Sequence, residues 1–358
     1  MISPYHITLG PAFKSFGLSV LLFIFTALLS GCAATRLAPP SQFEANPNTL
    51  TVPYQISEAG LMVLDVSVNG HPARPFILDS GANASAVYED YVEEFGLVRA
   101  GKSVDVKGLV ASAVRPLAED VAIDIGAKRF QRGQVVILDN PSSHPGVVGL
   151  LGVDALGDYT VLFNKTKGEQ AGRASFIPSA KFKSKSLRGW RKISLRNQVG
   201  SFPDNSLYFA TIYLKGRPAP VLIDTGSELN FVNWELAVQD KKIEKLRRSL
   251  RKTIKLQGIN ESIPLRMSAR LHDVHLGRKS WPYVDVTVLE FDSLNAIAPV
   301  DRPMMLAGAN MFTSSTFAFD FVDNALYIYS DEPDEPDEIN GPRDDEIENP
   351  HESIWGNG

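Results

Sequence analysis

The sequence predicts an all-β fold built as two equivalent lobes, and three observations carry that prediction. An eight-residue segment recurs at an offset of 145 residues. Short alternating apolar stretches closed by Gly-containing turns surround both copies in the same order, and self-similarity of this kind marks a repeated structural unit. Strand-like stretches at even spacing with few helical patterns point to barrels or sandwiches.

The repeated segment is Pro75-Phe76-Ile77-Leu78-Asp79-Ser80-Gly81-Ala82, which returns as Pro220-Val221-Leu222-Ile223-Asp224-Thr225-Gly226-Ser227. Each copy follows a strand pattern that ends in a turn: Leu61–Val68 into Asn69-Gly70, and Leu207–Leu214 into Lys215-Gly216. Asn-Gly is a strong hairpin signal, because both turn positions need a positive φ. A short helix is expected after each copy, near Tyr88–Phe95 and Trp234–Asp240. A Gly-containing hairpin follows, around Lys107-Gly108-Leu109 and Gln257-Gly258-Ile259. A second hairpin comes next, with Asp124–Arg129 answered by His275–Ser280. Each copy then has an apolar run closing on Gly and a helical turn, Val148–Leu156 and Met305–Phe312. The last strands are Tyr159–Phe163 with Ala174–Ile177, and Thr316–Phe321 with Ala325–Tyr329.

Outside the repeats the composition changes. Lys14 is the one Lys or Arg before an apolar run from Phe16 to Leu29, which is followed by Ser30-Gly31-Cys32. A charged start, an apolar middle and small residues at its end describe a secretory signal. Leu29-Ser30-Gly31-Cys32 resembles the bacterial lipobox, and the resemblance implies cleavage before Cys32 and lipidation of that residue, the chain's one cysteine. Ala33, rather than Asp, follows it, which in such lipoproteins favours the outer membrane, with the body facing the periplasm. The organisation expected is a signal at 1–31, a Pro-containing tether at 32–52, a first lobe at 53–178, a basic linker at 179–202, a second lobe at 203–330 and an acidic tail at 331–358. The tail holds 11 acidic residues and one Arg, for a net −10, and is expected to be disordered. The whole chain is −5 and the signal +1, so the body from Cys32 to Ser330 is about +4.

The repeated Asp-(Ser/Thr)-Gly is where chemistry is expected. In each copy an apolar strand delivers the Asp to a turn, the hydroxyl residue can fix that turn, and Gly lets a partner backbone come close. A pseudo-two-fold axis between the units would set the two carboxylates face to face. Carboxylates that close cannot both ionise, so the pair holds an acid and a base together. A water between them can be deprotonated by one while the other protonates a carbonyl oxygen. In this the chain resembles the aspartic peptidases of the retropepsin-like and pepsin-like fold, above all bacterial proteins with two retropepsin-like units in one chain. Leu150-Leu151-Gly152 and Leu306-Ala307-Gly308 belong to the same resemblance, although Ala307 is smaller than usual there.

The resemblance implies two acid-protease β-barrel lobes and an aspartic endopeptidase with Asp79 and Asp224 as the catalytic pair. Ser80 and Thr225 would lock the two loops, Gly81 and Gly226 complete the turns, and Gly108 and Gly258 mark candidate flaps. It implies a protein or peptide substrate, no cofactor or metal, and a site that a monomer completes. A non-catalytic peptide-binding or pseudo-protease module of the cell envelope is the alternative. Because Ser227 could donate a hydrogen bond to Asp224 while Ala82 has no hydroxyl for Asp79, Asp224 is expected as the ionised base and Asp79 as the acid, with activity at mildly acidic pH.

Other signals are weak. The charge balance gives no reason to expect nucleic-acid binding. Gly96–Ser103 matches a phosphate-loop pattern but lacks a strand before it and a helix after it. His272 and His275 lie in a strand pattern, where they point oppositely. Lys241–Lys255 packs eight basic residues around Ile243, Leu246 and Leu250 at helical spacing, and reads as an amphipathic helix whose basic face is either solvated or a dock for anionic lipid or for the acidic tail.

Overall fold

A computed structural model of the chain describes residues 48–107, 112–141, 144–166, 168–178, 190–198, 207–256, 267–289 and 302–329. They form an almost entirely β structure in two lobes of like plan. Among the described residues no helix is long and apolar enough to cross a membrane.

In the first lobe β1 (Leu50–Ile56) pairs antiparallel with β2 (Met62–Val68), which turns back into β3 (Arg74–Leu78). Asn69 and Gly70 make that turn with φ of 51° and 78°. The alternation of β2 buries Met62, Leu64, Val66 and Val68 on one face. β4 (Ala86–Tyr88) leads into a 3-10 turn at Glu89–Tyr91, shorter than the helix expected over Tyr88–Phe95. Strands β5 (Val98–Lys107), β6 (Ser112–Ile125) and β7 (Lys128–Leu138) form two successive hairpins. β8 (Gly149–Leu151) runs parallel to β3, and helix α1 (Val153–Leu156) follows at once. β9 (Tyr159–Lys165) and β10 (Ala171–Pro178) close the lobe, with β10 returning to β1. The phosphate-loop pattern at 96–103 ends inside β5, with no helix after it.

The second lobe repeats the plan with two differences. Its first strand is split into β11 (Trp190–Ser194) and β12 (Arg196–Gln198), and these lie within the stretch expected as a linker. β11 pairs with β20 (Ala325–Tyr329), and β12 with β13 (Leu207–Leu214), as β1 pairs with both β10 and β2. The stretch 190–198 is therefore the opening strand of the second repeat, broken at Leu195. Likewise β1 begins at Leu50, inside the expected tether.

β14 (Arg217–Ile223) follows β13 through a Lys215-Gly216 turn with φ of 51° and 75°. Then come β15 (Phe231–Val232) and α2 (Trp234–Ala237), which Asn233 caps by accepting from the Leu236 N–H. The second difference is α3 (Lys241–Leu256), which stands where the first lobe has β5. β16 (Met267–Leu276), β17 (Lys279–Val288), β18 (Met305–Ala307), a 3-10 turn at Ala309–Met311 and β19 (Phe317–Asp320) complete the order before β20.

The lobes share a sheet. β19 pairs antiparallel with β9, aligning Phe317 with Phe163, and their rings stack with centroids 4.7 Å apart. Thirteen described strands thus form one sheet in the order β11-β20-β19-β9-β10-β1-β2-β3-β8-β4-β7-β6-β5, and seven form a second, β12-β13-β14-β18-β15-β17-β16. The largest buried apolar cluster draws on both lobes, from Phe76 and Val87 to Trp234 and Phe319.

Candidate active site

The strands that carry Asp79 and Asp224 end at equivalent places. β3 is hydrogen-bonded to β8, and past its last residue the Asp79 N–H donates to the Leu151 carbonyl at 3.0 Å. β14 is hydrogen-bonded to β18, and the Asp224 N–H donates to the Ala307 carbonyl at 3.0 Å. Behind each strand end a Gly allows two backbones to touch. A Cβ on Gly152 would come within 2.8 Å of the Ala82 carbonyl oxygen, and one on Gly308 within 2.7 Å of that of Ser227. Two further polar side chains brace these elements. Ser85 accepts from the Gly152 N–H at 3.0 Å, and Asn230, its counterpart 145 residues on, accepts from the Gly308 N–H at 2.9 Å.

The two loops are bonded to each other through their hydroxyls. The Ser80 N–H donates to Thr225 Oγ1 at 2.9 Å, and the Thr225 N–H donates to Ser80 Oγ at 3.1 Å. Each hydroxyl then donates back to the other lobe's strand, Thr225 Oγ1 to the Leu78 carbonyl at 2.8 Å and Ser80 Oγ to the Ile223 carbonyl at 3.0 Å. All four bonds are buried, so no water competes for them.

This lock brings Asp79 and Asp224 together. A Cβ on Gly81 would lie 2.6 Å from Asp224 Cγ, and one on Gly226 would press on the Asp79 carboxyl still harder. Each carboxylate is held by its own loop: the Gly81 N–H donates to Asp79 Oδ1 at 2.8 Å and the Gly226 N–H to Asp224 Oδ1 at 3.0 Å. Burial pushes both carboxyls above the ordinary 3.8, and Asp224 the further, because the Asp79 charge lies against it while it donates to Asp79. Asp79 gains in its charged form from the Gly81 backbone N–H, from Asp224 and from the Ala82 N–H, and Asp224 has the matching Gly226 and Ser227 N–H groups. Asp224 is thus raised further than Asp79, whereas the expectation drawn from Ser227 made Asp224 the more readily ionised of the two. The Ser227 hydroxyl donates to the Leu229 carbonyl at 2.9 Å and not to Asp224. Ala82→Ser should accordingly leave the acidic limb of the pH–activity profile in place. A downward move of about one unit would show that the new hydroxyl reaches Asp79.

A cleft cavity of about 350 Å³ opens beside Asp79. Ile77, Tyr88, Leu138 and Leu150 give it an apolar wall, and Val106 and Ala113, from the strands of the β5–β6 hairpin, cover it. Polar groups stand around it: Arg115 forks onto Asp139 at 3.0 and 2.5 Å, and His144 Nδ1 lies 3.2 Å from Glu228 Oε1 across the two lobes. Burial, with the Asp79 charge adding to it, pushes the Tyr88 hydroxyl up to about 12, so it stays a neutral donor. Gly108 and Gly258 lie outside the described residues, although the stem of the first hairpin flanks the cavity. The sequence reading missed Tyr88, Arg115, Asp139, His144 and Glu228. Only Tyr88 left a signal, as an aromatic residue closing the short strand after the first Asp-Ser-Gly. Among the described residues no group of three or more His, Cys, Asp or Glu is placed to hold a metal, and His275 instead faces Asp273 at 2.7 Å.

Residues 64–155, from β2 to α1 and including Asp79, match the family model described as aspartyl protease. No curated protein matches the chain. Similar solved structures include an aspartic proteinase from Irpex lacteus, 13% identical over 79% of this chain and 97% of that one, with a TM-score of 0.47. Conglutin gamma, a basic 7S globulin from lupine seeds, is 11% identical over 80% of this chain and 96% of its own, with a TM-score of 0.46. The stretch from β2 to α1 in the first lobe is thus similar to the aspartyl protease family.

Proposed function

We propose that the protein is an aspartic endopeptidase. The observation that carries this reading is the pair of partly buried carboxyls, Asp79 and Asp224, each presented by its own Asp-(Ser/Thr)-Gly loop and pressed against the Gly of the other. A peptide lying along the cleft would bring its carbonyl oxygen to the Asp224 proton. The ionised Asp79 would take a proton from a water, which attacks the carbonyl carbon; Asp224 neutralises the developing oxyanion. Collapse of the tetrahedral intermediate returns one proton to the leaving amine and leaves the pair with one proton again. Because both carboxyls are raised, activity is bounded below by protonation of Asp79 and above by ionisation of Asp224, a window displaced upward from that of ordinary carboxylates. The cavity beside Asp79 suits a medium-sized apolar side chain next to the scissile bond. The test is cleavage of a diverse peptide pool by the chain, with Asp79→Asn as the control; a pool left intact by the wild type, but bound by it, would make the protein a peptide-binding module instead.

We further propose that Cys32 is lipidated and that the chain is anchored at the cell envelope. The reading rests on the apolar segment that ends in Leu29-Ser30-Gly31-Cys32 and on the stable anchoring that several acyl chains provide. Cys32→Ala should leave an unprocessed precursor or release the protein from membranes. Unchanged membrane fractionation, together with no acyl label on the wild type, would refute it.

A further inference from the structure

Among the described residues helix α3 has no counterpart in the first lobe, and its charge is extreme. Its sixteen residues hold eight Lys or Arg and one Glu, over a length of about 24 Å. Lys241, Lys242, Lys245 and Arg248 are exposed. Arg248 pairs with Glu244 of the same helix, and among the described residues no carboxylate of another element pairs with Lys241, Lys242 or Lys245. Lys241 and Lys245 sit at i and i+4, a spacing at which like charges repel. The helix is fixed to the lobe by Ile243, which is buried, and by Arg247, whose guanidinium lies 4.9 Å from the Trp234 ring centre. Leu246 stays 45% exposed beside these cations. Such a face suits a polyanion that also offers an apolar side chain.

The chain supplies one. The segment Asp331–Gly358 carries 11 acidic residues against one Arg, opens on Asp-Glu-Pro-Asp-Glu-Pro-Asp-Glu, and holds Ile354-Trp355 near its end. It begins just past β20, which ends at Tyr329. Twenty-eight residues reach about 85 Å when extended and about 30 Å as a random coil. A folded body of about 280 residues has a radius of gyration of about 19 Å, so α3 lies within reach wherever it stands on that body. A tether of this length puts its acidic groups at roughly millimolar effective concentration around the helix. We propose that the acidic segment 331–358 docks on the basic face of α3, its carboxylates on Lys241, Lys242, Lys245 and Arg248 and its Ile354-Trp355 pair toward Leu246. Docked there, it neutralises the helix and withholds it from other polyanions, anionic lipid among them.

Zero-length carbodiimide coupling of carboxylates to lysines in the full chain tests this. Peptide mapping should place tail Asp and Glu on Lys241, Lys242 and Lys245. In a mixture of isotopically light and heavy protein, those links should lie within one chain. The yield should fall at least about five-fold at 1 M salt, where the screening length is about 3 Å. Links spread evenly over the chain's lysines, links that persist at 1 M salt, or links that join light to heavy chains would overturn the proposal. A second arm compares vesicles of phosphatidylcholine with vesicles containing phosphatidylglycerol. The chain ending at Ser330 should prefer the anionic vesicles at least about five-fold more than the full chain does. Equal preference would mean that the helix is free for a lipid surface and that the tail does not cover it.

Discussion

Asp79→Asn and Asp224→Asn will each lower peptide hydrolysis by at least about 1,000-fold, because general acid and general base catalysis each contribute about 100- to 10,000-fold and one site needs both. Neither substitution should unfold the protein. Asparagine keeps the shape of the side chain and the acceptor that the Gly81 or Gly226 N–H uses. The Asp224→Asn variant should in fact melt higher than the wild type at pH 7. The Asp224 carboxyl is raised well above 3.8 in the folded chain. Below 3.8 both folded and unfolded chains hold the proton and the group is silent. As pH rises past that value the unfolded chain releases its proton while the folded one retains it, so the wild type loses stability until Asp224 ionises in the fold as well. Asparagine removes this loss, so the two melting curves should differ at pH 7 and converge below pH 4. Residual hydrolysis within ten-fold of the wild type in either variant would mean that the carboxyls do not act as one pair. A wild type that melts at least as high at pH 7 as the Asp224→Asn variant would mean that the burial of Asp224 is relieved in solution.

The internal repeat made the two-lobed β plan legible, because strand alternation and hairpin turns act over a few residues and leave their mark there. Asn69-Gly70 and Lys215-Gly216 turn as their sequences predict, with positive φ at all four positions. What the sequence concealed depends on partners far away in the chain. The strand 190–198 reads as a basic linker, since Arg191, Lys192 and Arg196 dominate its composition. Its alternate residues Ile193 and Leu195 are buried only because β20 and β13 lie beside it. The same holds for the cavity. Arg115 comes from β6 and Asp139 and His144 from the connection between β7 and β8, and no local spacing relates them to Asp79.

The bond expected from Ser227 to Asp224 is missing for a different reason. Sequence offers Ser227 a carboxylate partner, but the loop's geometry gives its hydroxyl a nearer carbonyl at Leu229, and a neutral local bond removes the expected influence. Local chemistry proposes partners, and backbone geometry chooses among them. The helix α3 itself was legible, because Ile243, Leu246 and Leu250 recur at helical spacing among eight basic residues, but its having no match in the first lobe was not. Among the described residues a helix stands in chain order where the first lobe has β5, and the β5–β6 hairpin flanks the cavity beside Asp79.

Thr225→Val will be the most destabilising conservative change in the site. Valine has the shape of threonine, so packing is retained while one oxygen is lost. That oxygen accepts from the Ser80 N–H at 2.9 Å and donates to the Leu78 carbonyl at 2.8 Å, both in the interior. Thr225 is 4% exposed and Ser80 1%, so water cannot replace the missing partner. Two buried backbone groups of the first lobe are left unpaired, at about 1–3 kcal/mol each, for a loss of about 2–6 kcal/mol. The reciprocal bonds through the Ser80 hydroxyl remain, but they hold a loop whose partner strand has lost its anchor, so activity should fall along with stability as the two carboxyls drift apart. Thr225→Ser keeps the oxygen and should recover most of both. A cycle with Ser80→Ala separates a shared lock from two independent bonds. If the hydroxyls act as one unit, the double variant should be more stable than the sum of the single losses allows, by about 0.5–3 kcal/mol. Urea denaturation followed by tryptophan fluorescence gives the four stabilities. A loss below about 1 kcal/mol in Thr225→Val, or strict additivity in the cycle, would mean that the loops are held together by the shared sheet alone and that the lock positions the carboxyls without stabilising the fold.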